Sequence, residues 1–222
     1  MNFDDLADEI LEHPSAKAIV EKVQTELKKE QVAREDFREW LNDEVKTEFI
    51  NGEIVMHSPV KREHLEATGN LYHLLDVYVS MNDLGIVSSG KALIALERND
   101  YEPDIVYWNK QQSKDFHVDT MVHPIPDLVV EVLSKGTKNK DKGIKFDDYA
   151  AHQIPEYWMI DYYKKIVYQY TLAKKSDKFY TLLKELDETQ TIDCQIIKGF
   201  RIPIAAIFEK KASLKILSSF LK

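Results

Sequence analysis

The sequence predicts an α/β (α+β) fold in which a mixed β-sheet is flanked by helices, and three observations carry that prediction. The run Leu128-Val129-Val130-Glu131-Val132-Leu133 is apolar but for one acid. Such continuity fits a central strand covered on both faces rather than a strand with one wet face. A helix-patterned stretch from about residue 140 to Ala151 follows, and Glu156-Tyr157-Trp158-Met159-Ile160-Asp161 then reads as another strand. Strand, helix and strand in that order make a parallel crossover. Finally, Asn51-Gly52 sits between the apolar runs of Glu48-Phe49-Ile50 and Ile54-Val55-Met56. Asn-Gly supplies the positive φ angles of a tight antiparallel hairpin, so the sheets are mixed.

Residues 1 to about 40 read as helix. Leu6, Ile10 and Leu11 begin an apolar stripe, and Ile19, Val20, Val23 and Leu27 continue it after a break at Pro14. This segment carries no chemical signature and reads as a packing or association element. After the hairpin and Ser58-Pro59, Leu65, Leu71, Leu74, Leu75 and Tyr78 keep a helical period from Lys61 to Met81. Strands are expected at Ile86–Ser89, Ala92–Leu96 and Asp104–Trp108, with a turn at Arg98-Asn99-Asp100. Ile154-Pro155 ends the crossover helix. Ile166–Thr171 and Lys178–Leu183 form a meander, a further strand lies around Thr191–Ile197, and an apolar, helical tail follows Gly199–Pro203. The domain reading is a helical extension over 1–36, a core over 37–208 and a C-terminal helical tail over 209–222.

Composition bounds the function. With 44% apolar residues, 222 residues bury a sizeable single core. The single cysteine, Cys194, forms no internal disulfide, and no leader or apolar run of membrane-spanning length is evident, so a cytoplasmic setting without a membrane is the simple reading. A net charge of -8 counts against a general DNA-binding module, which needs a broad basic surface. It leaves room for a metal enzyme, because carboxylates gathered around a cation are themselves acidic. Lys135, Lys138, Lys140, Lys142 and Lys145 cluster after Glu131, where a solvated loop and a local basic patch are both open readings.

Chemistry concentrates between Tyr101 and Lys145. Glu131 is an anomaly, since a carboxylate in an apolar strand needs an ion pair, hydrogen bonds, a metal or access to water. Asp104 opens another strand in Glu102-Pro103-Asp104-Ile105-Val106. If the two strands are neighbours, these acids can share a hard cation such as Mg2+ or Mn2+. Lys145, on the following helix, can orient a water or stabilise a transition state; a surface lysine is its bland alternative. Phosphodiester cleavage is the leading hypothesis. No zinc spacing surrounds His117 or His123, and there is no glycine-rich phosphate loop. Tyr157, Trp158, Tyr162, Tyr168 and Tyr170 suggest a base-stacking surface, but alternation on half-buried strands explains them more simply, and no basic residues interleave with them as in a nucleic-acid platform.

An ordered series of segments resembles the Uma-type family of putative restriction endonucleases, a branch of the PD-(D/E)xK nuclease superfamily common in bacteria. It comprises Asn51-Gly52-Glu53-Ile54-Val55, Ser58-Pro59 with Glu63-His64 and Gly69-Asn70-Leu71, Glu102-Pro103-Asp104, Pro126–Ser134, Asp141–Lys145 and Ile154–Asp161. The resemblance covers roughly Phe37 to Phe208. It implies a restriction-endonuclease-like core, Mg2+-dependent hydrolysis of DNA, and frequent dimerisation, hence a homodimer. Asp104 matches the first metal-binding acid and Glu131 the second. Leu133 stands where the superfamily usually has a lysine, and the resemblance assigns that role to Lys145. Glu53 and His64 match further recurrent polar positions and join Lys145 as candidate catalytic residues. The alternative reading is a catalytically inactive nuclease-like fold serving as a binding or assembly module. A metal-dependent phosphoesterase acting on a small substrate is a third.

Overall fold

The computed structural model describes residues 3–41, 45–134, 143–174 and 176–221. Two helices, α1 (Phe3–Glu12) and α2 (Ala16–Trp40), open the chain as the apolar stripe predicts. Helix α2 runs unbroken through residues 36 and 37 and buries Phe37. The hairpin follows as β1 (Thr47–Ile50) and β2 (Glu53–Met56), with Asn51 at φ 50° and Gly52 at φ 84° in its turn. Both angles are positive, as a two-residue type I′ connection demands. Helix α3 (Arg62–Met81) buries Leu71, Leu74 and Leu75 on one face.

The central sheet has six strands in the order β11-β10-β9-β8-β6-β3. These are β3 (Gly85–Ser89), β6 (Ile105–Asn109), β8 (Leu128–Val132), β9 (Glu156–Asp161), β10 (Ile166–Thr171) and β11 (Thr181–Leu186). Within this sheet β8 and β9 are the parallel pair among the described strands, and they are joined by the predicted crossover helix α5 (Ile144–Ala151). A short helix, α4 (Lys110–Ser113), follows β6. Every residue of β8 is buried, as its apolar run requires. Helix α5 ends in a Schellman motif, with Ile154 N donating to Tyr149 O and Gln153 N to Ala150 O. Gln153 takes the left-handed conformation at φ 64° that glycine more often supplies.

A second sheet, in the order β2-β1-β5-β4-β7, includes β4 (Leu93–Ala95), β5 (Asp100–Tyr101) and β7 (Val122–His123). Asp100, expected in a turn, instead pairs with Phe49 and Ala95. The strand expected around Thr191–Ile197 is shorter, as β12 (Thr191–Asp193), and pairs with β13 (Arg201–Pro203). It stops because the amides of Gln195 and Ile196 turn to the buried Glu156 carboxylate. Helices α6 (Ala205–Phe208) and α7 (Lys210–Phe220) form the tail. One core joins α3, the even-numbered residues of β8 and the C-terminal segment. A second joins Val129 and Leu133 to α5, β6 and the second sheet, and a third, smaller one packs Phe37 of α2 against Phe49 and Leu93. Among the described residues no helix is long and apolar enough to cross a membrane.

Candidate active site

Asp104 and Glu131 belong to neighbouring antiparallel strands. Ile105 pairs with Val130 and Val106 with Val129. Continuing this register by one residue sets Asp104 opposite Glu131, and opposed residues of an antiparallel pair point to the same face. That face is shared with Val129 and Leu133, which pack toward α5. Asp104 is fixed by its backbone as well: its carbonyl accepts from Gly90 N at 3.1 Å, and its Oδ2 accepts from Val132 N at 2.8 Å.

Three cationic or ionisable side chains surround the two acids. Lys46 Nζ lies 3.4 Å from Asp104 Oδ1, and His64 Nε2 lies 3.2 Å from Asp104 Oδ2. His64 Nδ1 is in turn 3.4 Å from Thr68 Oγ1, one turn along α3. Burial pushes the Asp104 carboxyl up, but His64, Lys46 and the Val132 amide outweigh it and hold it well below the usual carboxylate range. Lys145, in the first turn of α5, donates to Glu131 Oε1 at 3.0 Å, and Tyr149 OH donates to the same oxygen at 3.0 Å. These contacts resolve the anomaly of an acid in β8. Leu133 is only 2% exposed and packs in the apolar core, so the ammonium reaches Glu131 from the helix rather than from the strand.

Lys145 has a second carboxylate partner that the sequence reading does not single out. Glu48 of β1, fully buried, places Oε1 2.7 Å from Lys145 Nζ, and the same oxygen accepts from Glu102 N at 3.0 Å. Burial pushes the Glu48 carboxyl up, and the Lys145 ammonium and His57 outweigh it, leaving a pKa of about 2. Glu48 Oε2 lies 2.9 Å from His57 Nε2, yet neither atom has a hydrogen bond of acceptable alignment. The adjacent Glu102 is shifted the opposite way, to about 7, chiefly by burial, with Thr47 N donating to it at 2.9 Å.

The five candidates therefore divide. Asp104, Glu131, Lys145 and His64 line one cleft of about 930 Å³, together with Lys46, His57 and Ser134. Glu53 does not line it: the residue is exposed at the start of β2. Hairpin register explains the difference, because Glu48 pairs with Val55 and Ile50 with Glu53, so Glu48 and Glu53 share a face at opposite ends of the hairpin. Lys135, Lys138, Lys140 and Lys142 lie outside the described residues.

Among the described residues no group of three or more His, Cys, Asp or Glu side chains is arranged to hold a metal ion. Two carboxylates on one face still fit Mg2+, which keeps several waters and is bound through one or two carboxylates plus substrate phosphate. The donor set is oxygen-only, as a hard cation prefers.

A family model described as Uma2, putative restriction endonuclease, matches residues 34–205. An uncharacterised protein of Synechocystis sp. is 29% identical over 155 residues, 69% of this chain and 86% of the relative. The crystal structure of a putative nuclease belonging to DUF820 from Anabaena variabilis aligns with a TM-score of 0.66 at 14% identity, covering 82% of this chain and 97% of that one. This likeness shows the restriction-endonuclease-like fold.

Proposed function

Because the chain belongs to the Uma2 family of putative restriction endonucleases, we propose that it hydrolyses phosphodiester bonds of DNA with Mg2+ or Mn2+. The observation that carries this reading is the register that sets Asp104 opposite Glu131 at the cleft, with the Lys145 ammonium 3.0 Å from Glu131. A divalent cation held by Asp104 and Glu131 supplies activation of water and neutralisation of charge on the phosphate oxygens. Lys145 serves as a fixed cation beside the scissile phosphate, anchored from behind by Glu48 and, through Glu131, by Tyr149. His64 orients Asp104 and is able to move a proton at the cleft.

The domain reading stands as part of this proposal, with 37–208 as the nuclease-like core. So do the homodimer and the cytoplasmic setting. Supporting self-association, Leu11, Val20, Val23 and Leu27 of α1 and α2 are exposed. Sedimentation of the full chain tests it.

Nicking of plasmid or cleavage of labelled oligonucleotides with Mg2+, Mn2+ or chelator tests the activity. Wild type is expected to cut only with metal, and Asp104→Asn, Glu131→Gln and Lys145→Ala to lose cutting. Calorimetric Mn2+ titration should show binding that Asp104→Asn removes. Metal-independent cutting, or wild-type rates in these variants, would place the chemistry elsewhere. Mn2+ binding without any cutting favours the binding-module alternative.

A further inference from the structure

The cleft has a second wall, which the acids and Lys145 do not use. Tyr162 and Tyr163 stand in the turn after β9 with their rings stacked, centroids 4.2 Å apart. Tyr162 is 9% exposed and meets the His64 ring edge-on at 6.2 Å, while His64 lies 3.2 Å from Asp104. Tyr163 is 50% exposed, and Lys61 Nζ stands 5.5 Å from its ring centroid. A continuous series of contacts thus runs from Asp104 to an aromatic surface open to solvent, with a cation over it. Met56 and Leu65, on the same cleft, are also mostly exposed. Apolar surface gathered around a polar centre is the composition of a ligand cleft rather than of a solvated loop.

We propose that Tyr162 and Tyr163 form a stacking wall for an unpaired base, so that the site acts on single-stranded DNA in preference to intact duplex. The inference rests on the nuclease reading of the same cleft. Paired bases keep their faces inside the helical stack and offer only edges in the grooves, so a ring face serves a base that is already unstacked. Charge argues the same way. Duplex affinity is built from many Lys and Arg contacts to phosphate, whereas this chain carries -8 overall. Of the described lysines that line the cleft, Lys145 is held by Glu48 and Glu131, Lys46 lies beside Asp104, and Lys61 stands over the aromatic wall. A cleft of about 930 Å³ is also on the scale of a nucleotide-sized ligand rather than of a duplex.

The test is fluorescence anisotropy of the full chain with a labelled mixed-sequence strand, alone and annealed into a blunt duplex, in chelator so that nothing is cut. Wild type is expected to bind the single strand more tightly, Tyr163→Ala to lose roughly tenfold of that affinity, and Tyr163→Phe to retain it. Tyr163→Leu, which keeps apolar bulk, should resemble Tyr163→Ala, and thermal melting of each variant checks that the half-exposed position leaves the fold intact. Equal affinity for both forms, no detectable single-strand binding, or an unaffected Tyr163→Ala would overturn the proposal. Because binding is read without turnover, absence of cutting in the metal assay would defeat the nuclease reading while leaving this result standing.

Discussion

The Lys145 ammonium lies closer to Glu48 than to Glu131, at 2.7 Å against 3.0 Å. The proposed catalytic cation is therefore held from the hairpin as firmly as from the central strand. Two fixed acceptors leave it little freedom to swing, and positional error in a reacting group is costly. Glu48→Gln keeps the side-chain volume and an acceptor for Glu102 N while removing the charge. We expect it to lower the single-turnover cutting rate by on the order of a hundredfold, with oligonucleotide affinity unchanged. A rate equal to wild type would confine Glu48 to packing.

The same pair makes an acid-stability prediction. Glu48 has a folded-state pKa of about 2, below its ordinary value of 4.5. A depressed carboxyl contributes stability that is present above 4.5 and lost as pH falls through about 2. Without Lys145, burial is the opposing influence that remains strongest, and it favours the neutral acid. Lys145→Met should therefore move the acid-unfolding midpoint, followed by circular dichroism, to higher pH than in wild type. A midpoint that stays put or falls would mean that the ion pair contributes nothing at Glu48.

Glu131 was legible in the sequence because an acid interrupts a run that is otherwise apolar, and the structure shows its partners, Lys145 and Tyr149. Glu48 was not. In Thr47-Glu48-Phe49-Ile50 it looks like an ordinary hairpin acid, and its burial arises from contact with α5, about a hundred residues away in the chain. Glu53 was a candidate through the family resemblance alone, and its pairing with Ile50 puts it beside the Asn-Gly turn, at the opposite end of the hairpin from Glu48. The parallel crossover, α3 and the hairpin follow from local patterning. The second sheet does not, since β5 is two residues long and exists through pairings with Phe49 and Ala95.

Asp100 also fastens α2. Its fully buried carboxylate accepts from Arg34 Nε at 2.9 Å and from Arg38 at 2.9 Å and 2.7 Å. Arg34 further donates to the carbonyls of Leu96, Glu97 and Asn99. Asp100→Ala leaves two guanidinium groups facing each other without their shared anion, and should cost about 3 kcal/mol in urea unfolding. A chain beginning at residue 37 keeps Arg38 but loses Arg34, so it should be destabilised by less than Asp100→Ala. Unchanged stability in both would show that the Asp100 carboxylate is not what fastens α2 to the second sheet.

Glu156 supplies the contrasting case of a buried acid with a structural role. Its Oε1 accepts from Trp158 Nε1 at 2.6 Å and Gln169 Nε2 at 2.7 Å. Its Oε2 accepts from the amides of Gln195 and Ile196 at 2.8 and 3.0 Å and from Cys194 Sγ at 3.2 Å. The two amides belong to the bend that ends β12, so the carboxylate replaces the strand partners they would otherwise have. Glu156→Ala strands several buried donors at once, each costing about 1–3 kcal/mol. We expect a drop of at least about 3 kcal/mol in unfolding free energy, with the residual folded fraction cutting DNA at the wild-type rate per molecule. Gln in the same place keeps one acceptor oxygen and should recover part of the loss. If Glu156→Ala instead preserved stability and abolished cutting, Glu156 would belong to the site and not to the frame that carries it.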